Sequence, residues 1–223
     1  MRLPRRLLLL AALGGAVWYG RNILRFRDPI RVPPPQPGVV LSPADGLVTF
    51  VRRIENGEVG TEAAPLNVRD LTGMEVGEGW LVGLFVGPLD VHYVHTPTDG
   101  TAHAVHLAGG EERAPLAGLA STPQLLAGRP ADFPDVSDLL GNERYTVGLS
   151  TTRGNVGVTL IGGRGGLRVT SYARPGQDLR ARHKLAFLDE GGLVLLTLPE
   201  DAVPQGSVGD RVTGVETVAA GWG

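Results

Sequence analysis

Glycine and proline interrupt this chain so often that few stretches are long enough for a helix of ordinary length. The 33 glycines and 17 prolines separate short runs rich in Val, Leu and Thr. Runs of that kind, closed by Gly, Pro, Asp or Asn, suit short strands joined by tight turns. The expected fold is mostly β, with strands over residues 46–52, 80–86, 100–106, 156–161, 193–198 and 212–218. Only residues 115–143 offer material for short helices, around 122–127 and 135–140, so helices do not alternate with strands as a crossover parallel sheet requires. A chain of 223 residues allows one sizeable core but hardly two. With no cysteine, disulfides, thiolate metal sites and cysteine nucleophiles are excluded.

Charge is concentrated at the amino terminus. Residues 1–31 carry seven arginines against Asp28 alone, although the whole chain is slightly acidic. Between Arg6 and Arg21 runs the uncharged segment LLLLAALGGAVWYG. As a helix it would extend roughly 21 Å, short of a hydrocarbon core of about 30 Å. Arginines can snorkel to headgroups from both ends, and Trp18 and Tyr19 suit an interface, so a tilted or monotopic membrane anchor is expected. A secretory signal peptide is the rival reading, but no small-x-small cleavage site follows and the arginines beyond favour retention on the cytoplasmic side. Pro33 to Pro37 reads as a stiff polyproline spacer. The expected organisation is a basic anchor over residues 1–31, a spacer over 32–38 and a β domain over 39–223.

Two turns echo each other. Pro43-Ala44-Asp45-Gly46 and Pro97-Thr98-Asp99-Gly100 share the pattern Pro-x-Asp-Gly, each leading into a strand. Proline presets φ and Asp-Gly supplies an acceptor and a flexible hinge, so either alone is simply a good turn. The densest chemistry lies in PLDVHYVHTP, residues 88–97, where His92 and His95 follow an apolar strand. In an extended chain, positions three apart point to opposite faces, and no further ligands accompany them, so no metal site is expected. A histidine acting as a general base is the sharper reading. His103, His106 and His183 read as ordinary surface or half-buried histidines.

Taken in order, Phe26-Arg27-Asp28-Pro29, Ser42-Pro43-Ala44-Asp45-Gly46, PLDVHYVHTP with Asp99-Gly100, Asn142-Glu143-Arg144, and Gly209-Asp210-Arg211-Val212 followed by Gly214-Val215-Glu216-Thr217-Val218 resemble the landmarks of phosphatidylserine decarboxylases, in their short, membrane-tethered branch. The likeness covers roughly residues 25–220. It implies a barrel-sandwich of short strands, related to biotinyl and lipoyl carrier domains. It also implies that Asp45 and His95 activate a serine that cuts its own chain and becomes a pyruvoyl group, the electrophile that decarboxylates a serine phospholipid. By the same match His92 delivers a proton to the decarboxylated carbon.

The family's serine precedes an apolar strand that ends in proline. Here that stretch reads DEGGLVLLTLP, residues 189–199, which puts Gly192 at the serine position. Glycine can neither attack nor become a pyruvoyl group. Upstream, Ala181-Arg182-His183-Lys184 also departs from the family pattern. Gly206-Ser207 is a Gly-Ser pair, but beyond the strand, in a turn where a small polar residue suits local geometry. Ser207 is the displaced candidate. A carrier role would need a lysine in an exposed Met-Lys turn, and the single lysine, Lys184, has other neighbours. The preferred expectation is a non-processing relative without cofactor that binds membrane phospholipid, with no nucleic-acid partner. The alternative is an active pyruvoyl lyase making phosphatidylethanolamine and CO2. A third reading is an exported surface β domain whose histidines are structural.

Overall fold

The computed structural model describes residues 5–61, 64–107, 109, 113–116, 124 and 136–223. The apolar run after Gly192 becomes the strand Gly192–Pro199, an inner member of an eight-stranded sheet. Across that sheet the order is Asp178–Leu179, Gly100–Leu107, Arg144–Thr151, Gly154–Ile161, Gly192–Pro199, Gly79–Val86, Gly46–Ile54 and Arg211–Val212, every pairing antiparallel. Leu195 stands opposite Gly83 on one side and Thr159 on the other.

The reason this strand is apolar at nearly every position is that both of its faces are covered. Val194, Leu196 and Leu198 join Val82, Leu84, Val86, Val147, Leu149, Val158 and Leu160 in the larger core. Leu193 and Leu195 point the other way, into a second core with Ile54, Leu81 and Ile161 that is closed by Val68 and Leu71 of the helix Val68–Thr72. A smaller antiparallel sheet of Val169–Ser171, Lys184–Leu188 and Tyr93–His95 adds Val94, Leu185, Ala186 and Leu188 to the larger core. A second small sheet joins Val40–Leu41, Val218–Trp222 and Ala202–Pro204.

The mostly β expectation holds, and five of the six expected strands are present within a residue or two at their ends. The sixth, over residues 212–218, is corrected. Val215 adopts φ +71, and Thr217 N–H donates to Thr213 O at 2.9 Å, so the chain folds back between Arg211–Val212 and Val218–Trp222. Its two halves enter different sheets. Of the helical stretch expected over 135–140, Val136–Gly141 is a 3-10 helix, while 122–127, residue 124 excepted, lies outside the described residues.

The expected amino-terminal helix forms over Arg5–Asn22, with Leu8, Leu9, Leu13, Trp18 and Tyr19 exposed. Among the described residues, no helix is long and apolar enough to cross a membrane. The chain that follows packs on the domain: Arg25 donates to Asp189 O at 3.0 Å, Arg27 donates to Leu89 O at 2.6 Å, and the Phe26 ring stacks on Phe187 with centroids 5.2 Å apart.

Asn142, Glu143 and Arg144 act as a structural clamp. The buried Asn142 amide accepts from Ala114 N–H at 2.8 Å and donates to Ala114 O at 2.9 Å and Gly162 O at 2.7 Å. Glu143 Oε2 accepts from Leu167 N–H at 2.8 Å, and Arg144 donates to the carbonyls of Leu139 and Leu140. Replacing Asn142 with alanine leaves several buried groups without partners, so N142A should lose about 3 kcal/mol of stability. The urea midpoint should fall with an unchanged slope; a loss below about 0.5 kcal/mol would show that the clamp is dispensable.

Candidate functional site

His92 precedes and His95 ends a strand of only three residues, Tyr93–His95, which is bounded by the 87–90 turn on one side and Pro97 on the other. Asp90 closes that turn: its Oδ2 accepts from Gly87 N–H at 2.8 Å and its Oδ1 pairs with Arg211. Two distant landmarks are thereby joined, since Arg211 belongs to the Gly-Asp-Arg stretch near the carboxyl end. The strand is held on Lys184–Leu188, with His95 opposite Lys184 and Tyr93 opposite Phe187. His92 O accepts from Leu188 N–H at 3.0 Å, and His95 N–H donates to Pro43 O at 2.7 Å.

Both imidazoles are nearly inaccessible, at 2% for His92 and 6% for His95. Neither nitrogen of His92, nor Nδ1 of His95, has a hydrogen bond of good geometry. Burial holds both pKa values below the usual histidine range. For His92 the backbone around Leu188 and Gly87 opposes the shift; for His95 the Arg31 guanidinium adds to it. Neutral imidazole is suited to accept a proton.

Asp45 lies in the same neighbourhood as His95 but does not hydrogen-bond to its ring. Its carboxylate is gripped by Arg31 Nη2, at 2.8 Å to Oδ1 and 2.9 Å to Oδ2, while Oδ1 also accepts from Gly214 N–H at 2.8 Å. Arg31 is therefore a site residue that the sequence reading missed; only its position just past the Phe-Arg-Asp-Pro landmark hinted at it. Asp99 of the echoing turn does similar work, accepting from Ala181 N–H at 2.6 Å. Gly46 and Gly100 also share a steric role: an added Cβ would come within 2.4 Å of Phe85 O at the first and 2.9 Å of Ser150 O at the second. The echo is thus one corner used twice, each aspartate bracing a separate segment.

A strap of residues 25–32 crosses this region. Lys184 Nζ pairs with Asp28 at 2.5 Å and sits 4.1 Å from the centroid of the Tyr93 ring. Val32 N–H donates to Glu216 Oε1 at 2.8 Å, with Arg31 also 3.8 Å from that carboxylate. Beneath the strap, Arg25, Pro88, Leu89, His92, Asp189 and Glu190 line a cavity of about 500 Å³, whose rim is completed by Ala16 and Gly20 of the amino-terminal helix. Arg25, Asp189 and Glu190 are further site residues that no motif announced.

Gly192 offers no oxygen for a pyruvoyl group. A Cβ added there would stand 2.7 Å from Ile161 O, and one at Gly191, where φ is +77, would stand 2.4 Å from Val86 O. The residues do not fit the cofactor. Ser207 is exposed in a local turn in which its N–H donates to Asp210 Oδ2 at 2.8 Å and its carbonyl accepts from Asp210 N–H at 3.0 Å. Gly209 N–H donates to Val48 O at 2.8 Å, which ties this turn to the strand Gly46–Ile54. No hydrogen bond links Ser207 to Asp45, His92 or His95. Among the described residues no group of three His, Asp or Glu side chains is placed to hold a metal.

Because both histidines have lowered pKa values in the folded chain, the unfolded chain takes up protons first as pH drops below about 6.5. Stability should fall with acid in that window, by at most about 1.4 kcal/mol per pH unit for each histidine. Urea titrations at pH 7.5, 6.5 and 5.5 should show a steeper loss for the native protein than for a His92→Gln, His95→Gln double variant. Equal slopes would mean that neither ring is held neutral.

The phosphatidylserine decarboxylase family model matches residues 20–220. The chain is 30% identical to a phosphatidylserine decarboxylase proenzyme of Granulibacter bethesdensis over 200 residues, covering 87% of this chain and 68% of that protein. It is also 30% identical to a phosphatidylserine decarboxylase proenzyme of Mycobacterium leprae over 221 residues, covering 99% of this chain and 76% of the relative. With the ordered landmarks joined around His92, His95 and Asp45, this extent of similarity means that the chain belongs to the phosphatidylserine decarboxylase family.

Proposed function

We propose that this protein is a non-processing member of its family, which binds the headgroup of a serine phospholipid at a membrane surface and does not decarboxylate it. The observation that carries the reading is Gly192, at the position where the family's serine is expected and with the Ile161 carbonyl oxygen packed against the space a side chain would need. A second support is the engagement of Asp45 by Arg31 and Gly214, which leaves His95 without a carboxylate partner on its ring.

Headgroup binding is supported by the charge pattern of the 500 Å³ cavity. Arg25 offers a guanidinium for a phosphate or carboxylate, and Asp189 and Glu190 offer acceptors for an ammonium group. A serine phospholipid carries all three charges within one headgroup. The membrane reading is supported by the exposed Leu8, Leu9, Leu13, Trp18 and Tyr19 together with the amino-terminal arginines. That combination suits a helix lying in the interface, on the cytoplasmic side where anionic lipid attracts basic segments.

The purified protein should give one intact mass near 23.5 kDa under denaturing conditions and release no CO2 from phosphatidylserine vesicles. A separate fragment of residues 207–223 bearing a pyruvoyl terminus would overturn the reading and make Ser207 the nucleophile. The G192S variant should also remain a single chain and unfold at lower urea, because its new side chain meets Ile161 O. Self-cleavage of G192S would show that the rest of the processing machinery is intact.

A further inference from the structure

A second cavity, of about 270 Å³, lies on the other side of Pro88 and Glu190. Its wall is the turn 162–166, with the sequence Gly-Gly-Arg-Gly-Gly, facing the backbone of Gly191 and Gly192. Two of the turn's glycines are dictated by the fold: a Cβ at Gly162 would come within 2.4 Å of Gly166 O, and Gly166 has φ +91. Gly163 and Gly165 are different. Neither has a positive φ, and a Cβ at either would meet nothing nearer than 3.6 Å. Among the described residues no packing demands glycine at these two positions, and their missing side chains leave the cavity open.

The turn is also rigidly held. Glu143 O and Oε2 accept from Gly162 N–H and Leu167 N–H, and the buried Asn142 amide donates to Gly162 O. At its tip, the N–H groups of Arg164 and Gly165 have no partner among the described residues. The charges lining the cavity are Arg164, Arg168 and Glu190. Arg168 is 3.5 Å from Glu190, whereas Arg164 has no ion pair among the described residues. Nearby, Arg113 is balanced by Glu143 at 3.9 Å. Among the described residues the excess is one positive charge, carried on a planar fork of donors that suits phosphate.

We propose that the 162–166 turn, Arg164 and Arg168 form a phosphate-binding site beside Gly191 and Gly192. Free N–H groups at the tip of a glycine turn form a concave anion cradle, and the guanidinium groups neutralise its occupant. A cavity of this size is at the lower limit for small-molecule sites, so it takes a headgroup-sized phosphate and not a nucleotide. The phosphate can belong to a phospholipid headgroup or to a soluble phosphomonoester. The site shares Pro88 and Glu190 with the cavity around Arg25 and His92, but its donors are its own and it does not depend on the function proposed above.

The test is calorimetric titration of the full-length protein with inorganic phosphate and with glycerophosphoserine at low ionic strength. Both should bind saturably. An Arg164→Gln, Arg168→Gln double variant should bind inorganic phosphate at least about tenfold more weakly, and so should Gly163→Val, which fills the cavity. The urea midpoint of the double variant should match wild type because both arginines are exposed. Absence of saturable phosphate binding, or a double variant within twofold of wild type, would overturn the site. A larger loss of glycerophosphoserine affinity than of phosphate affinity in the double variant identifies a lipid headgroup as the occupant, and the reverse identifies a soluble phosphate; either supports the site. Inorganic phosphate involves no lipid, so phosphate binding without binding to phosphatidylserine vesicles sinks the lipid function alone. The converse result sinks this site alone.

Discussion

The strand Gly192–Pro199 has strands on both edges and apolar cores on both faces, and the arrangement of the site depends on that confinement. A strand so placed cannot slip, because a shift of one residue would exchange the side chains of the two cores. It therefore fixes where Gly191 and Gly192 lie relative to Val86 and Ile161. Pro88, His92 and the 162–166 turn follow those two neighbouring strands by a few residues, so their positions are set by the same register.

Burial and electrostatics then decide the state of His95 and Asp45. A carboxylate that faced the imidazole of His95 would stabilise its protonated form. Here Arg31, 13% exposed, binds both oxygens of Asp45 and itself lowers the proton affinity of His95. Removing either partner of such a largely buried pair costs stability, since the survivor would keep its charge with only the weaker contact to Gly214 or Glu216. The strap that delivers Arg31 is held at several other points, through Phe26, Asp28 and Val32, and so the Arg31–Asp45 pair is part of how the amino-terminal segment is attached.

The ordered landmarks turn out to be mostly joints. Asp90 holds Arg211, Asp45 holds Gly214, Asn142 holds the glycine turn and Glu216 holds the strap. Such joints persist whether or not a nucleophile is present, because each satisfies backbone or charged groups that would otherwise lack partners. The landmarks therefore have a structural reason to stand where they do, apart from any chemistry.

The sequence by itself determined the β character, most strand positions, the amino-terminal helix, the family and the absence of a side chain at residue 192. All of these rest on local signals: turn residues, apolar runs, or the identity of one residue. Tertiary structure decided what local signals do not carry. It broke the expected 212–218 strand at Val215, turned Asp45 toward Arg31 and Gly214, and brought Arg25, Asp189 and Glu190 to one cavity with His92. Each of these is a contact between residues far apart in the chain, and such contacts are settled by which partner satisfies a buried charge or an open hydrogen bond once the sheet has closed.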